Sequence, residues 1–159
     1  MDHALENTVT LNLVQHGKVT SPLLIVYSNL NGQDFAQLDV HGFLSKNYQL
    51  GDHFDNFLAL RADLEAQEIL LACKGCLKNV FPSGMSRSMS FGLTAYETDE
   101  ATLETEPVCI YRPIVQNEYK DLMTYEQQVI YRKKFLEENK ARFIERNKLY
   151  EAQKTASQR

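Results

Sequence analysis

The stretch DHFDNFLALRADLEAQEILLAC, residues 52–73, decides the fold class of this protein. Apolar side chains recur at spacings of three and four residues over about 54–66, which predicts a helix with one apolar face. Asp52 or Asp55 can cap its first turn. The run EILLAC at 68–73 is short and apolar, so we interpret it as a buried strand. A helix followed by a polar turn and a strand is typical of α+β layers.

Short apolar or alternating segments on both sides of this unit predict further strands. They are residues 8–14, 23–27, 35–40, 91–96 and 108–111. NLNG at 29–32 predicts a hairpin turn, because Asn and Gly tolerate positive φ. The segment 74–90 has no regular pattern, and the Pro-Ser-Gly at 82–84 marks a turn within it. We therefore predict an α+β fold with a mostly antiparallel sheet of five or six strands, one packed helix and a long C-terminal helix.

The long helix is predicted from about 120 to about 153, where the chain contains neither Gly nor Pro and is rich in good helix formers. Five apolar residues recur every seven positions: Leu122, Val129, Leu136, Phe143 and Tyr150. The second seam of the heptad is mostly polar, so a complete coiled coil is not expected. We predict that the helix packs on the rest of the chain at its start. Its later turns, with Leu136 and Phe143, are expected to contact a partner or a second copy.

The balance of acidic and basic residues changes near residue 118, close to the start of the predicted long helix. Residues 1–117 hold 7 basic and 14 acidic residues, whereas residues 118–159 hold 10 basic and 7 acidic residues. We predict an α+β domain over 1–117 and a helical extension over 118–159. Glutamates lie between the basic residues of the extension and repel phosphate, so a nucleic-acid partner is not expected.

Composition excludes several classes of protein. The chain of 159 residues is 43% hydrophobic and 24% charged, which is typical of a globular protein rather than a disordered one. No apolar run approaches the length of a membrane span, and MDHALENTVT lacks the features of a signal peptide. Three cysteines fit reduced thiols better than a disulfide scaffold. We expect a cytoplasmic protein with no membrane partner.

Carboxylates are concentrated in ETDEATLETE, residues 97–106. The acidic residues are Glu97, Asp99, Glu100, Glu104 and Glu106, and no basic residue lies among them. The segment is interpreted as a solvated loop or as a surface that faces a basic site on another protein. In the second case, complementary charge would raise the association rate and help to select the partner.

Few residues suggest chemistry. Cys73 and Cys76 form a CxxC pair, but a zinc site needs four ligands and no second motif is present, so we expect packed thiols. Each histidine is expected at the surface or in a loop. Ser86 and Arg87 could hold an anion together with backbone N–H groups, or form an ordinary polar turn. No catalytic, metal or cofactor signature is present, and we predict neither an enzyme nor a cofactor.

Residues 68–96 resemble a group of small bacterial proteins that share an apolar strand, Cys-x-Gly, N-V-[FY]-P-S-x-M-S-R-x-M and G-x-x-A-Y. The matches are Cys73, Gly75, residues 79–83 (NVFPS), Met85, Ser86, Arg87, Met89, Gly92, Ala95 and Tyr96. The preceding DHFDNFLALRADLEAQ is similar to the D-x-F-x-x-L-x-x-[IL]-R-x-x-L-E segment of the group, so the resemblance covers about 52–96. Such proteins resemble the immunity proteins of polymorphic toxin systems. The resemblance implies tight binding to one cognate secreted toxin domain, without catalysis.

Two alternatives to an immunity protein remain open. The first is a structural or oligomeric module, with the C-terminal helix pairing across a homodimer. The second is a small anion or ligand binder at the 73–88 loop, with Arg87 as its cation. Under the immunity hypothesis, the surface that meets the toxin comprises the acidic residues of 97–106 together with Leu136 and Phe143.

Overall fold

The computed structural model of the protein describes residues 5–29 and 35–158, which form an α+β structure. The strands are β1 (Leu5–Leu11), β2 (Leu13–Gln15), β3 (Lys18–Val19), β4 (Leu23–Asn29), β5 (Ala36–His41), β6 (Lys46–Tyr48), β7 (Ile69–Leu71), β8 (Val80–Phe81), β9 (Thr94–Thr98) and β10 (Thr105–Cys109). The helices are α1 (His53–Glu65), α2 (Gly84–Ser90), α3 (Tyr125–Glu138) and α4 (Lys140–Ser157). Two short 3-10 helices cover Lys74–Cys76 and Gln116–Asp121. The hairpin turn predicted at 29–32 extends beyond the described residues.

The described strands form three antiparallel sheets rather than the single sheet of five or six strands that we predicted. Their orders are β1-β4-β5-β6, β10-β9-β8 and β3-β2-β7. Helix α1 packs on β5 and β7, so it joins the first and third sheets around one core. Asn12 separates β1 from β2, which were predicted as one strand. Its carbonyl accepts the N–H of Ala72 and its side chain bonds to Tyr119, so the strand changes sheets at this residue.

The prediction for helix α1 is confirmed. It begins after Asp52, whose carboxylate accepts the N–H of Asp55, while the Asp55 carboxylate accepts the N–H of Asp52. The apolar face that the sequence predicted is buried at Phe57, Leu60 and Leu64. The first turn of the helix also places Asp52 and Asp55 beside Arg87.

The segment 74–90 was predicted to be irregular, but it contains a 3-10 turn, strand β8 and helix α2. Ser83 caps α2 by accepting the N–H of Ser86 at 3.0 Å, and Ser86 Oγ accepts the N–H of Ser83 at 2.9 Å. The reciprocal pair is a capping box built from two serines instead of Ser and Glu. The usual sequence signature is therefore missing, which explains why the helix was not predicted.

The acidic segment 97–106 is a β-hairpin rather than a loop. Strands β9 and β10 pair Glu97 with Glu106 and Thr98 with Thr105. At the turn, the Asp99 carboxylate accepts the N–H groups of Ala101 and Thr102. This side chain fixes the turn although no glycine is present.

The C-terminal segment forms two helices, so the prediction of one long helix is wrong. The break lies at Asn139, which has φ −111° and ψ 13° and donates from its side chain to the carbonyl of Phe135 at 2.9 Å. Asn competes for backbone hydrogen bonds in this way and is a weak helix former. Helix α3 docks on the body through Gln128, which is 2% exposed, whereas no residue of α4 is buried. The seven-residue repeat from Leu122 to Tyr150 is therefore interrupted.

Candidate functional site

Four carboxylates lie on one face of the β9–β10 hairpin. Glu97 and Glu106 are register partners, and the next residues on the same face are Asp99 and Glu104, where the N–H of Asp99 donates to the carbonyl of Glu104 at 2.8 Å. Together these four side chains line a surface depression of about 190 Å³. We call it the acidic face. The structure thus brings four of the five predicted acidic residues together.

Only one member of the acidic face has a basic partner within the described residues. Lys74 Nζ lies 2.9 Å from a Glu97 carboxylate oxygen and 3.2 Å from Glu118. Burial lowers the pKa of Lys74, but its hydrogen bonds to the two glutamates outweigh burial and raise that pKa overall. Like charges on opposed strand residues are unfavourable. The acidic face therefore has an unbalanced negative charge that a cationic group from outside would stabilise.

The fifth acidic residue, Glu100, faces α3 instead. Tyr131 donates its hydroxyl to the Glu100 carboxylate at 2.5 Å, and Lys78 Nζ lies 3.7 Å away. Burial and this carboxylate raise the pKa of Tyr131 to about 12. The Arg142 guanidinium donates to the carbonyl groups of Glu100 and Ala101. Glu100 therefore joins the hairpin tip to the C-terminal helices and is not part of the acidic face.

The two apolar residues predicted to bind a partner lie in different surroundings. Leu136, on α3, has 39% of its surface exposed. Phe143, on α4, packs edge-on against Phe135 with ring centroids 6.1 Å apart, and Phe135 stacks on Tyr131 at 6.3 Å. Phe143 thus helps to hold α4 on α3, while Leu136 is free to meet another molecule.

Ser86 and Arg87, the predicted anion binders, both have internal partners. The Arg87 guanidinium donates to both carboxylate oxygens of Asp52 at 3.0 and 2.9 Å and to Asp55 at 2.8 Å. Burial raises the pKa of Asp52, but the hydrogen bonds from Arg87 and Asp55 outweigh it and lower that pKa overall. An external anion would have to replace two carboxylates, so the geometry does not favour an anion site here.

The two segments that carry the family resemblance meet at this ion pair. Phe91 and Gly92 follow α2 in left-handed conformations, and the Phe91 carbonyl accepts the N–H of His53 at 2.9 Å. A Cβ atom on Gly92 would lie 2.7 Å from the Asp52 carboxylate. The Arg87 guanidinium also lies over the ring of Phe54 at 5.1 Å. These residues form a junction between the start of α1 and the end of α2, in which the side chains of Arg87 and Asp55 are 36% and 46% exposed.

Sequence reasoning missed a buried polar network around Arg61, which is 2% exposed. Its guanidinium donates to Glu65 at 3.0 Å, to the Gln128 side-chain oxygen at 2.5 Å and to the carbonyl of Met123 at 2.8 Å. The Gln128 amide in turn donates to the carbonyl of Gly75 at 2.9 Å and to that of Leu77 at 2.7 Å. Arg61 belongs to the D-x-F segment of the resemblance, but no local pattern shows that it is buried.

Cys73 and Cys76 are buried, with their sulfur atoms 3.8 Å apart. Burial raises the pKa of Cys73. Burial also opposes ionisation of Cys76, but the hydrogen bond from Cys73 and the charge of Arg61 outweigh it and lower that pKa. Over residues 5–29 and 35–158, no group of three or more His, Cys, Asp or Glu side chains could hold a metal ion.

His53 corrects our expectation that each histidine lies at the surface or in a loop. It is 2% exposed in the first turn of α1, and its Nδ1 has no hydrogen-bond partner among the described residues. Its ring packs edge-on against Tyr27 and Phe91. The hydroxyl of Tyr111, which stacks on Tyr27 at 4.8 Å, is also buried without such a partner.

Comparisons with known proteins assign no family to the chain. No protein-family model matches it, and no curated protein is significantly similar to it. The resemblance to immunity proteins therefore stays a prediction. In the part of the chain that the structure describes, no helix is long and apolar enough to cross a membrane.

Proposed function

We propose that this protein is an immunity protein that neutralises a cognate bacterial toxin domain by binding it. The observation that carries the proposal is the acidic face, where Asp99, Glu104 and Glu106 have no basic partner among the described residues. A toxin domain that acts on an anionic substrate presents a basic site, and a row of carboxylates complements its charge. The family resemblance over about 52–96 supports the same function.

The inhibitor acts by occupying a surface and not by catalysis. The hairpin presents carboxylates on a paired backbone, so little conformational entropy is lost when it binds. Long-range attraction between opposite charges speeds encounter, and this acceleration decreases as salt screens the charges. A standard interface of about 1,600 Å² exceeds the acidic face, so the proposed contact also covers exposed residues that border this face.

The test uses charge reversal at two exposed carboxylates. The variant Glu104→Lys with Glu106→Lys reverses the acidic face, and both side chains lack ion pairs among the described residues. The matched control is Glu137→Lys with Glu151→Lys, which makes the same charge change on exposed positions of α3 and α4. Each variant is co-expressed with toxin domains from the native genome, and both growth rescue and Kd are measured.

The proposal predicts that wild type and control rescue growth against one toxin domain, whereas the hairpin variant loses rescue. We expect its Kd to rise at least about tenfold, because close charge pairs at interfaces contribute about 1.5 kcal/mol or more. Rescue and Kd equal to those of the control would place the partner surface elsewhere. Failure of the wild type against every toxin domain would overturn the immunity function itself.

A second candidate function is favoured by apolar side chains on the C-terminal helices. Val129, Ile130, Leu149 and Tyr150 are 44–64% exposed. An oligomeric module that dimerises through these helices would cover them. Light scattering of the purified chain distinguishes the two candidates, because the module predicts a dimer that Leu136→Asp disrupts.

A further inference from the structure

The face of the hairpin opposite the acidic face forms one wall of a groove of about 180 Å³. Its lining combines hydroxyl groups, aromatic rings and one cation: Ser83, Thr98, Thr105, Phe81, Tyr96 and Arg132. These residues come from β8, β9, β10, α3 and the start of α2, so the groove exists only in the folded chain. No carboxylate of the described residues lines it.

Arg132 is the cation of this groove, and the described residues give it no acceptor. Its guanidinium lies over the ring of Phe81 at 4.7 Å, and no ion pair or hydrogen bond joins it to a side chain or carbonyl of residues 5–29 or 35–158. By contrast, Arg61 and Arg87 each donate to several acceptors. Arg132 is partly buried, and burial lowers its pKa. None of its nitrogens is among the buried polar atoms of the described residues that lack a partner, so the guanidinium is open to an acceptor from outside.

The geometry favours a planar anion of small size. A guanidinium without acceptors can form two parallel hydrogen bonds to a carboxylate, whose planar geometry it matches. The groove is smaller than the roughly 300 Å³ at which pockets for drug-sized ligands begin. It therefore suits a group about as large as one amino-acid side chain, and Phe81 and Tyr96 provide apolar contact for its body.

We propose that this groove binds a small monocarboxylate with an apolar or aromatic body, with Arg132 as the carboxylate-binding residue. The hydroxyl groups of Ser83, Thr98 and Thr105 supply further hydrogen-bond donors around the acid. This site is independent of the proposed immunity function, because it lies on the other face of the hairpin and recognises the opposite charge.

Phenylacetate is the probe, and its neutral isostere phenylacetamide is the matched ligand. We would titrate the full ¹⁵N-labelled chain with each compound and follow amide chemical shifts. We expect saturable shifts with phenylacetate at residues of β8, β9 and β10 that line the groove. Phenylacetamide is expected to bind at least about tenfold more weakly, because the charge-assisted hydrogen bonds are lost.

Two variants test the role of Arg132. Arg132→Gln removes the cation and is expected to weaken phenylacetate binding at least about tenfold. Lys133→Gln makes the same charge change at the next, exposed position of α3 and is expected to bind as wild type does. Thermal unfolding of both variants checks that the fold is retained. If Arg132→Gln unfolds, Arg132→Lys is used in its place. This variant is expected to bind phenylacetate more weakly than wild type, because Lys cannot form the two parallel hydrogen bonds of a guanidinium.

Three results would overturn the proposal. The first is the absence of saturable shifts in the wild-type chain. The second is binding by a folded Arg132 variant within twofold of wild type. The third is tighter binding of inorganic phosphate than of phenylacetate at the same amides, which would assign the groove to a different class of anion.

Discussion

At the residue scale, the burial of His53 makes the stability of the fold depend on pH. Burial lowers the pKa of this histidine, and the nearby charge of Asp52 only partly offsets the effect. The folded-state pKa therefore lies below the unfolded value of about 6.5. Between these two values the unfolded chain binds more protons than the folded chain, so the free energy of unfolding decreases as pH falls below about 6.5.

The prediction is that this decrease depends on His53. Unfolding free energies from urea titrations at about pH 7.5 and about pH 5.5 should differ less in His53→Gln than in wild type. His41→Gln is the control, because His41 is exposed at the end of β5. The change of the unfolding free energy with pH is compared between the variants. Its absolute value is not compared, because Gln also removes the contacts with Tyr27 and Phe91. Equal slopes in wild type and His53→Gln would contradict the prediction.

Arg61 is a buried charged residue whose guanidinium is hydrogen-bonded to Glu65, Gln128 and the carbonyl of Met123. Replacing it with Ala leaves Glu65 and Gln128 without their shared donor in the interior. We expect a loss of about 3–5 kcal/mol in the free energy of unfolding, measured with urea. Lys134→Ala, which removes an exposed pair with Glu138, is the control and should change stability little. A loss below about 1 kcal/mol in Arg61→Ala would mean that the network relaxes into solvent.

At the scale of elements, the junction between α1 and α2 depends on the backbone of Gly92. This residue has φ +83°, and an added Cβ would meet Asp52 and the N–H of Phe54 at 2.7 Å. We expect Gly92→Ala to destabilise the chain by more than about 1 kcal/mol. Gly84 is the matched control, because nothing lies within 4 Å of its added Cβ in the first turn of α2. Thermal unfolding should show a lower Tm for Gly92→Ala and an unchanged or higher Tm for Gly84→Ala.

Elements with strong local signals could be predicted, and elements that depend on side-chain context could not. The three- and four-residue periodicity and the Asp52 cap gave α1 correctly. Strand β10 (Thr105–Cys109) was predicted at 108–111, because Glu106 and Pro107 are residue types that strands disfavour, whereas here both pair with β9. Helix α3 ends at Asn139, whose side chain donates a hydrogen bond to the carbonyl of Phe135. Helix propensity alone does not locate this end.

Of the two candidate sites, the acidic face could be predicted from the sequence and the groove at Arg132 could not. Five acidic residues were predicted together because they are close in sequence. Four of them share the acidic face, and Glu100 departs from it because its side chain, at the hairpin turn, faces Tyr131. The groove at Arg132 could not be predicted, since Phe81 and Thr105 lie far from it in sequence. Only the three-dimensional arrangement shows that Arg132 lacks an acceptor among the described residues.

At the scale of the whole molecule, the predicted boundary at 117/118 can be compared with where the chain is held. Helix α3 is anchored by Gln128 and by the Glu65 carboxylate, which accepts the N–H of Tyr125 at 3.1 Å. Helix α4 has no buried residue and contacts the rest mainly through Phe143 and Arg142. The boundary at 117/118 stays a prediction, and we predict a further division within the extension near Asn139, after its docked part.

Two truncations test this division. A chain that ends at 139 loses α4, including the Phe135–Phe143 contact, and should lose only about 1 kcal/mol of unfolding free energy. A chain that ends at 124 also loses Gln128, leaves Arg61 short of an acceptor, and should lose at least about 3 kcal/mol. Urea unfolding measures both values, and light scattering of the same samples shows whether α4 holds a dimer. Similar losses in the two truncations would instead make α4 part of the folded body.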